Sequence, residues 1–428
     1  MAFEVAGRPQ VDSETKASYA IPLVLMVALY FGIGFITALN DILVPHFKDL
    51  FQLTNVAALL VQFCFFGAYF VMSVPSGWVI GRIGYKAGIV SALSLIFLGL
   101  LLFQPAARII FYPLFLFGLF VIGSGLALLQ VAINPYIGAL GTPETASSRL
   151  NLAGGFNSIA GTIAPRVGAV FIFIAAGATA AQLAHSVQMP YLVLAACALT
   201  MAIATTLVRL PEVLAIPAEG DVSNVSAWRF RHLKLGALAI FFYVGAEVAI
   251  GSIMINYLGQ RSMGGLSHPA AAHYVSLYWG GAMVGRFIGF FTLRSVKAQR
   301  ALAGVSIAGL LLMLITVLAH GHLALSAVVG CGLCNSVMWP CIFPLALQGL
   351  GKATSQGSGI LVTMVVGGAI IPLLQGLLAD HFGYQHSFLI VLACYAYLLF
   401  YALNGYKPHS VAPTFAEASQ SRHKEPPA

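Results

Sequence analysis

The sequence predicts an all-α membrane protein of twelve transmembrane helices in two six-helix bundles, with both termini cytoplasmic. Three observations carry that expectation. Hydrophobic residues make up 59% of the 428 and charged residues only 8%, at a mean hydropathy of +0.91, whereas a soluble domain carries about 25% charged residues. Apolar stretches close to the roughly 20 residues that cross a bilayer follow one another almost end to end. The second half of the chain also echoes the first.

Taken in order, residues 1–18 are polar and read as a disordered cytoplasmic tail. The apolar run behind them is long enough to span and is not placed like a signal-peptide core, so no cleavage is expected. The first bundle, 19–208, holds spans at 20–44, 56–80, 87–105, 109–139, 150–176 and 189–207. Short polar breaks such as Arg82 to Lys86 and Pro143 to Arg149 separate them. Residues 209–233, with Pro, Gly, Asp, Glu and Ser but no apolar run, read as a cytoplasmic linker. The second bundle, 234–406, holds spans at 235–258, 270–293, 301–318, 323–347, 358–378 and 387–403, and 407–428 form a second disordered cytoplasmic tail.

The net charge of +8 raises the question of a polyanion partner, and the positions of the cations answer it. Arg82, Lys86, Arg149, Arg209, Arg294, Lys297, Lys352 and their like flank the ends that alternate crossing puts with the N-terminus. Only Lys48, Arg108 and Arg261 flank the others. The positive-inside rule then places both termini in the cytoplasm, and no nucleic acid is needed to explain the charge. All six cysteines fall in apolar runs. Cys331 and Cys334 place two small residues on one helix face without partner ligands, so no metal is expected.

The echo between halves is specific. Laid without a gap on Gly330 to Pro372, the stretch Gly123 to Pro165 pairs Gly125 with Gly332, Ser148 with Ser355, Gly161 with Gly368 and Pro165 with Pro372. More loosely, Gly77, Gly81 and Arg82 match Gly281, Gly285 and Arg286. Small-xxx-small spacing lets helices approach closely, so Gly77, Gly81, Arg82, Gly285 and Arg286 are assigned to gating and packing. Two such bundles imply a central cavity.

Polar groups at membrane depth face a cavity or a partner. Four ionisable residues stand inside the spans: Asp41, Arg166, Glu247 and Arg286. Asp41 and Glu247 are candidates for cation coupling, and a protonated Glu247 can donate to a sugar hydroxyl. Arg166 lies about 25 Å along its span from Arg149, at 1.5 Å per residue, near the depth inferred for Asp41. An Arg166–Asp41 pair would compete with cation coupling. The amides Asn40, Gln62, Gln130, Asn134, Asn151, Asn157, Asn256, Asn335 and Gln375 offer donors and acceptors suited to a polyol. Tyr243, Tyr278 and Trp339 offer aromatic faces for a sugar ring.

Several stretches resemble a known family. Thr37-Ala38-Leu39-Asn40-Asp41-Ile42-Leu43-Val44-Pro45-His46-Phe47, Leu129-Gln130-Val131-Ala132-Ile133-Asn134-Pro135-Tyr136, Phe156-Asn157-Ser158 and Tyr243-Val244-Gly245-Ala246-Glu247-Val248 are similar to the fucose–galactose–glucose:proton symporter family of the major facilitator superfamily. The resemblance covers nearly the whole chain and is closest to the glucose/galactose branch. It implies the major facilitator fold and import of a hexose or 6-deoxyhexose by alternating access, driven by a cation gradient. By position, Asp41 resembles the coupling carboxylate and Asn157 a sugar-contacting amide. Gln130 stands where fucose symporters have a glutamate, and with Glu247 it turns the expectation toward glucose or galactose. Two residues depart from the pattern: Gly154 replaces a usual glutamine, and Gly81 replaces the usual acid between the second and third spans.

The expected function is thus secondary active import of a monosaccharide, with no cofactor beyond a co-transported proton or sodium ion. The partners are the sugar and the bilayer, and the protein is expected as a monomer in a bacterial inner membrane. An uncoupled facilitator of another small polar solute is the alternative within transporters: Gly154 alters the pocket, and an Arg166–Asp41 pair would weaken coupling. A non-transporting sugar sensor would need an output domain, which the chain lacks. An enzyme is not expected: the sequence has no HExxH, no paired carboxylates and no P-loop.

Overall fold

The computed structural model describes residues 19–53, 55–172, 179–211 and 226–408. The tails and most of the linker lie outside them. The first half comprises α1 (Ala20–Phe51), α2 (Asn55–Leu101), α3 (Phe103–Ile109), α4 (Tyr112–Ala139), α5 (Ala146–Ile172), α6 (Ala180–Ser186) and α7 (Gln188–Leu207). The second comprises α8 (Arg231–Leu258), α9 (His268–Thr292), α10 (Ala298–Leu318), α11 (Gly321–Asn335), α12 (Met338–Leu347), α13 (Thr354–Thr363), α14 (Gly367–Ser387) and α15 (Leu389–Phe400), ending in a π-turn at Tyr401–Gly405. The described residues form helices and connecting turns without a strand.

Eight stretches of these helices are long and apolar enough to cross a membrane. Two of them, at 50 and 37 residues, are too long for one crossing. Both are interrupted by a glycine with a non-helical backbone, Gly84 at φ 81° and Gly383 at φ 80°. Each precedes a tyrosine, and that positive φ is a conformation which residues bearing a Cβ adopt only at a cost. Another expected span, 323–347, is broken between α11 and α12. Pro340 has no N–H for the Ser336 carbonyl four residues back, and the break falls there.

The outward faces are apolar. Phe63, Val170 and Leu207 are 73%, 76% and 77% exposed, too much apolar surface to leave in water at about 25 cal/mol per Å². Lipid is the solvent those faces fit. Inside, small residues set the helix spacing: a Cβ on Gly125 of α4 would stand 2.9 Å from the Ala92 carbonyl of α2. At the turn from α4 to α5, Arg149 forks into four acceptors: the carbonyls of Ile137 (2.9 Å), Gly138 (2.5 Å) and Thr142 (3.0 Å), and the Thr145 hydroxyl (2.5 Å). It closes the open C-terminal carbonyls of α4.

The halves meet along two related seams, α5 on α9 and α13 on α2 with α4. Ser148 and Ser355, which the sequence repeat pairs, each lie on one of them. The Ser148 hydroxyl donates to the Phe290 carbonyl at 2.6 Å. The Ser355 carbonyl faces Gly77, whose missing Cβ would fall 2.6 Å away. Beside it the Ser358 hydroxyl donates to the Val131 carbonyl at 2.8 Å, and a Cβ on Gly359 would fall 2.6 Å from the Ser73 carbonyl. These contacts lie toward the end of the bundle that carries Arg82, Lys86, Arg294 and Lys352, and they seal the halves together there.

Candidate functional site

Away from that sealed end, polar side chains of both halves converge on α5. From the first half, α4 presents Gln130 and Asn134 one turn apart on a single face. Gln130 donates to the Tyr69 hydroxyl of α2 at 2.9 Å. The Tyr30 hydroxyl of α1 donates to Asn134 Oδ1, and Asn157 of α5 donates to the Tyr30 carbonyl at 2.9 Å. Nearer the other end of the bundle, Asn40 donates to Gln62 at 2.9 Å. Gln62, Gln130 and Asn157 are half-buried, whereas Asn40 and Asn134 are buried.

From the second half, Tyr243 and Glu247 lie four residues apart on α8, and the tyrosine hydroxyl donates to Glu247 Oε2 at 2.9 Å. Arg286 of α9 stands 3.8 Å from Glu247 Oε1. Its other amino group crosses the seam, donating to the Ser158 hydroxyl at 2.8 Å and the Gly154 carbonyl at 3.0 Å. A Cβ on Gly154 would already lie 3.4 Å from Arg286 Cδ, so the position that departs from the family's glutamine is the one the arginine side chain lies against. Behind Glu247, the Tyr278 hydroxyl donates to its backbone carbonyl at 3.0 Å. Asn335 donates to Tyr278 at 2.8 Å and accepts from Tyr395 at 2.7 Å. Trp339, stacked on Phe343, comes within reach of the Tyr30 hydroxyl.

The structure therefore brings Gln130, Asn134, Asn157, Tyr243, Glu247, Trp339 and Arg286 toward one another across the seam. Tyr278 and Asn335 stand behind that group, buried and mutually bonded. Asn151 is buried where α5 meets Gly289 of α9. Gln375 is buried in α14, without a hydrogen-bond partner among the described residues. Asn256 is exposed near the end of α8. Gly77 and Gly81 press on Ser355, Gly285 packs on Ser336, and Arg82 is exposed at the basic end. The Asp41 side chain lies outside the described residues, and the expected Arg166–Asp41 pair with it. Arg166 is exposed on α5.

Sequence reasoning passed over Tyr30, Tyr69, Ser158 and Tyr395. A tyrosine or serine in a span is ordinarily a packing residue, and its spacing carries no signal of its role. The Glu247–Arg286 pair did have a signal: each is an ionisable residue deep in one of two consecutive spans, where opposite charges find each other.

The sequence matches the model of the Major Facilitator Superfamily over residues 26–365. It is 50% identical over 411 residues to the glucose/galactose transporter of Brucella abortus biovar 1 (strain 9-941), covering 95% of this chain and all of that one. It is 34% identical over 414 residues to the L-fucose-proton symporter of Escherichia coli (strain K12), covering 91% and 94%. The fold is similar to the crystal structure of a superfamily transporter, FucP, in the outward conformation, with a TM-score of 0.83, 33% identity, and coverage of 91% of this chain and 99% of that one.

Proposed function

The chain belongs to the Major Facilitator Superfamily, and from that membership we propose that it imports a hexose of the glucose/galactose type by alternating access, coupled to proton entry. The observation that carries the reading is the meeting of polar groups from both halves at α5, with Arg286 holding Glu247 on one side and Ser158 on the other. A site shared by two bundles changes its access when the bundles rock. Amides at Gln130 and Asn157 supply paired donors and acceptors for sugar hydroxyls, and Trp339 an apolar face for the ring. The seams closed at the basic end support a state open to the opposite side, in keeping with the outward conformation of the similar structure.

In this reading α2 crosses twice, turning at Gly84. α11 with α12, and α13 with the first limb of α14, cross once each. The last crossing begins after Gly383, which brings the total to twelve. The bundles are 19–208 and 234–406, with the linker and both tails cytoplasmic because the cations gather at that end. The protein works as a monomer in a bacterial inner membrane. Asp41 and Glu247 are the coupling carboxyls: protonating Glu247 removes the charge that Arg286 faces and frees the guanidinium to move with the seam. The proton coupling named for the Escherichia coli relative supports the choice of ion.

The test is uptake of a panel of labelled hexoses into proteoliposomes under an inward proton gradient, an inward sodium gradient or neither. Glucose or galactose uptake accelerated severalfold by the proton gradient alone is expected. Equal rates in all three conditions would assign a facilitator, and binding without movement a sensor.

A further inference from the structure

A cavity of about 1060 Å³ opens at the basic end between the two halves, away from the site at α5. Its walls carry Arg82 and Lys86 of α2, Arg209 beyond α7 and Lys352 before α13. Lys86 is engaged, donating at 2.9 Å to the carbonyls of Thr206 and Val208 at the end of α7. Arg82, Arg209 and Lys352 are exposed and make no ion pair among the described residues. Among the described residues that line the cavity, none is a carboxylate. Gly81 lies on that wall, against the Ser355 hydroxyl, so the position where the superfamily usually carries an acid adds no negative charge.

Orientation in the membrane accounts for cations at this end, but not for their convergence on one concavity shared by both halves. When Gly77 seats on Ser355, Lys352 of the second half is brought to the cavity that Arg82 and Arg209 line from the first. Like charges that gather in a partly enclosed space are screened less well than on open surface, where the Debye length is about 8 Å. A divalent anion there would offset two of the three charges and bridge the halves, and anything that binds one state selectively stabilises it. We propose that this cavity binds a phosphate-bearing dianion through Arg82, Arg209 and Lys352, and that the bound anion favours the state sealed at this end. The guanidinium forks of the two arginines match phosphate oxygens, and Lys352 adds a point charge. The volume admits an organic phosphate as well as the inorganic ion.

Two sources share that chemistry, a soluble phosphate monoester and a phosphomonoester lipid headgroup. The full-length protein is reconstituted in phosphatidylcholine nanodiscs at fixed ionic strength, and thermal unfolding is followed while inorganic phosphate or a hexose 6-phosphate is titrated. In a second arm, phosphatidic acid, whose headgroup is a phosphomonoester, is added in place of the soluble anion. A saturable rise in unfolding temperature is expected in one arm, and that arm names the source. The Arg82→Ala/Lys352→Ala variant should weaken the apparent affinity at least tenfold. Arg108→Ala, at the opposite end, should leave it unchanged. No rise in either arm, or an equal rise in the Arg82→Ala/Lys352→Ala variant, overturns the proposal. So does a rise that appears only in a Glu212→Gln/Glu219→Gln/Asp221→Asn variant, which would assign the cavity to the chain's own carboxylates.

Discussion

Arg286 stands 3.8 Å from Glu247 and, through its other amino group, 2.8 Å from the Ser158 hydroxyl, so one guanidinium ties the carboxyl of the second half to a helix of the first. Glu247 is buried and Arg286 half-buried, so removing the arginine leaves the carboxyl uncompensated at a cost toward the low end of the about 3–5 kcal/mol of a fully buried pair. Arg286→Ala is therefore expected to destabilise the protein by about 3 kcal/mol. Adding Glu247→Gln should recover about 1–3 kcal/mol of it, the range for groups in direct contact. Unfolding of the two single variants and the double variant in one detergent measures this. Strictly additive effects would remove the pair as a coupling element.

Gly154 gives a second, steric handle on the same arginine. Its Cβ would sit 3.4 Å from Arg286 Cδ, ordinary van der Waals contact, while its carbonyl accepts from the guanidinium at 3.0 Å. Gly154→Ala is expected to be tolerated, gaining about 0.5–1 kcal/mol from the helical preference of alanine. Gly154→Gln needs space the arginine occupies and should displace it, changing the hexose KM by about tenfold, the effect of roughly 1.4 kcal/mol. Side-by-side uptake kinetics of the two variants separate loss of backbone freedom from displacement of Arg286.

Much of this was legible in the sequence, for reasons that also mark where legibility ended. The apolar runs and the paired serines Ser148 and Ser355 follow from periodicity and self-similarity, which are properties of the chain alone. Tyr243 and Glu247 stand out separately, one as an aromatic face and the other as an ionisable residue deep in a span, and the hydrogen bond that joins them comes from the structure. The sequence does not tell which helices of opposite halves abut, so Arg286, placed with the packing residues, could not be joined to Ser158. Arg149 read as one more cation at a helix end, although its four acceptors lie within twelve residues of it. Acceptor carbonyls leave no mark in a sequence.

That arginine supports a third prediction. Lysine carries the same charge but not the planar fork, and with three N–H donors Arg149→Lys would leave at least one of the four acceptors without a donor. A buried polar group left unsatisfied costs about 1–3 kcal/mol, and a loss in that range is expected, read as a lower unfolding temperature with the hexose KM of the folded fraction unchanged. A changed KM at wild-type stability would place Arg149 in transport instead.

Gln130 tests substrate choice. Its amide nitrogen donates to the Tyr69 hydroxyl at 2.9 Å, and a carboxylate in its place has no proton to give. In Gln130→Glu the tyrosine must reverse and donate, which withdraws its proton from any other acceptor. Glucose and galactose uptake should fall by at least tenfold while uptake of a 6-deoxyhexose is retained, measured in competition with one labelled sugar. Equal loss for all sugars would place Gln130 in structure alone.

The seam at the basic end offers a conformational test. Side chains at Gly77 and Gly359 would run into the backbones at Ser355 and Ser73, each 2.6 Å from a Cβ, and backbone cannot step aside as a side-chain tip can. Gly77→Leu is thus expected to hold this end apart, so the site at α5 stays open toward the basic end. Net uptake should drop at least a hundredfold, while a thiol placed at Ser148 becomes reactive to a membrane-impermeant reagent supplied on the basic side. The Ser148→Cys protein without the leucine should stay protected when sealed, because Ser148 is buried against Phe290. Protection that persists in the leucine variant would show that the halves part elsewhere, and that the glycines serve helix packing without gating.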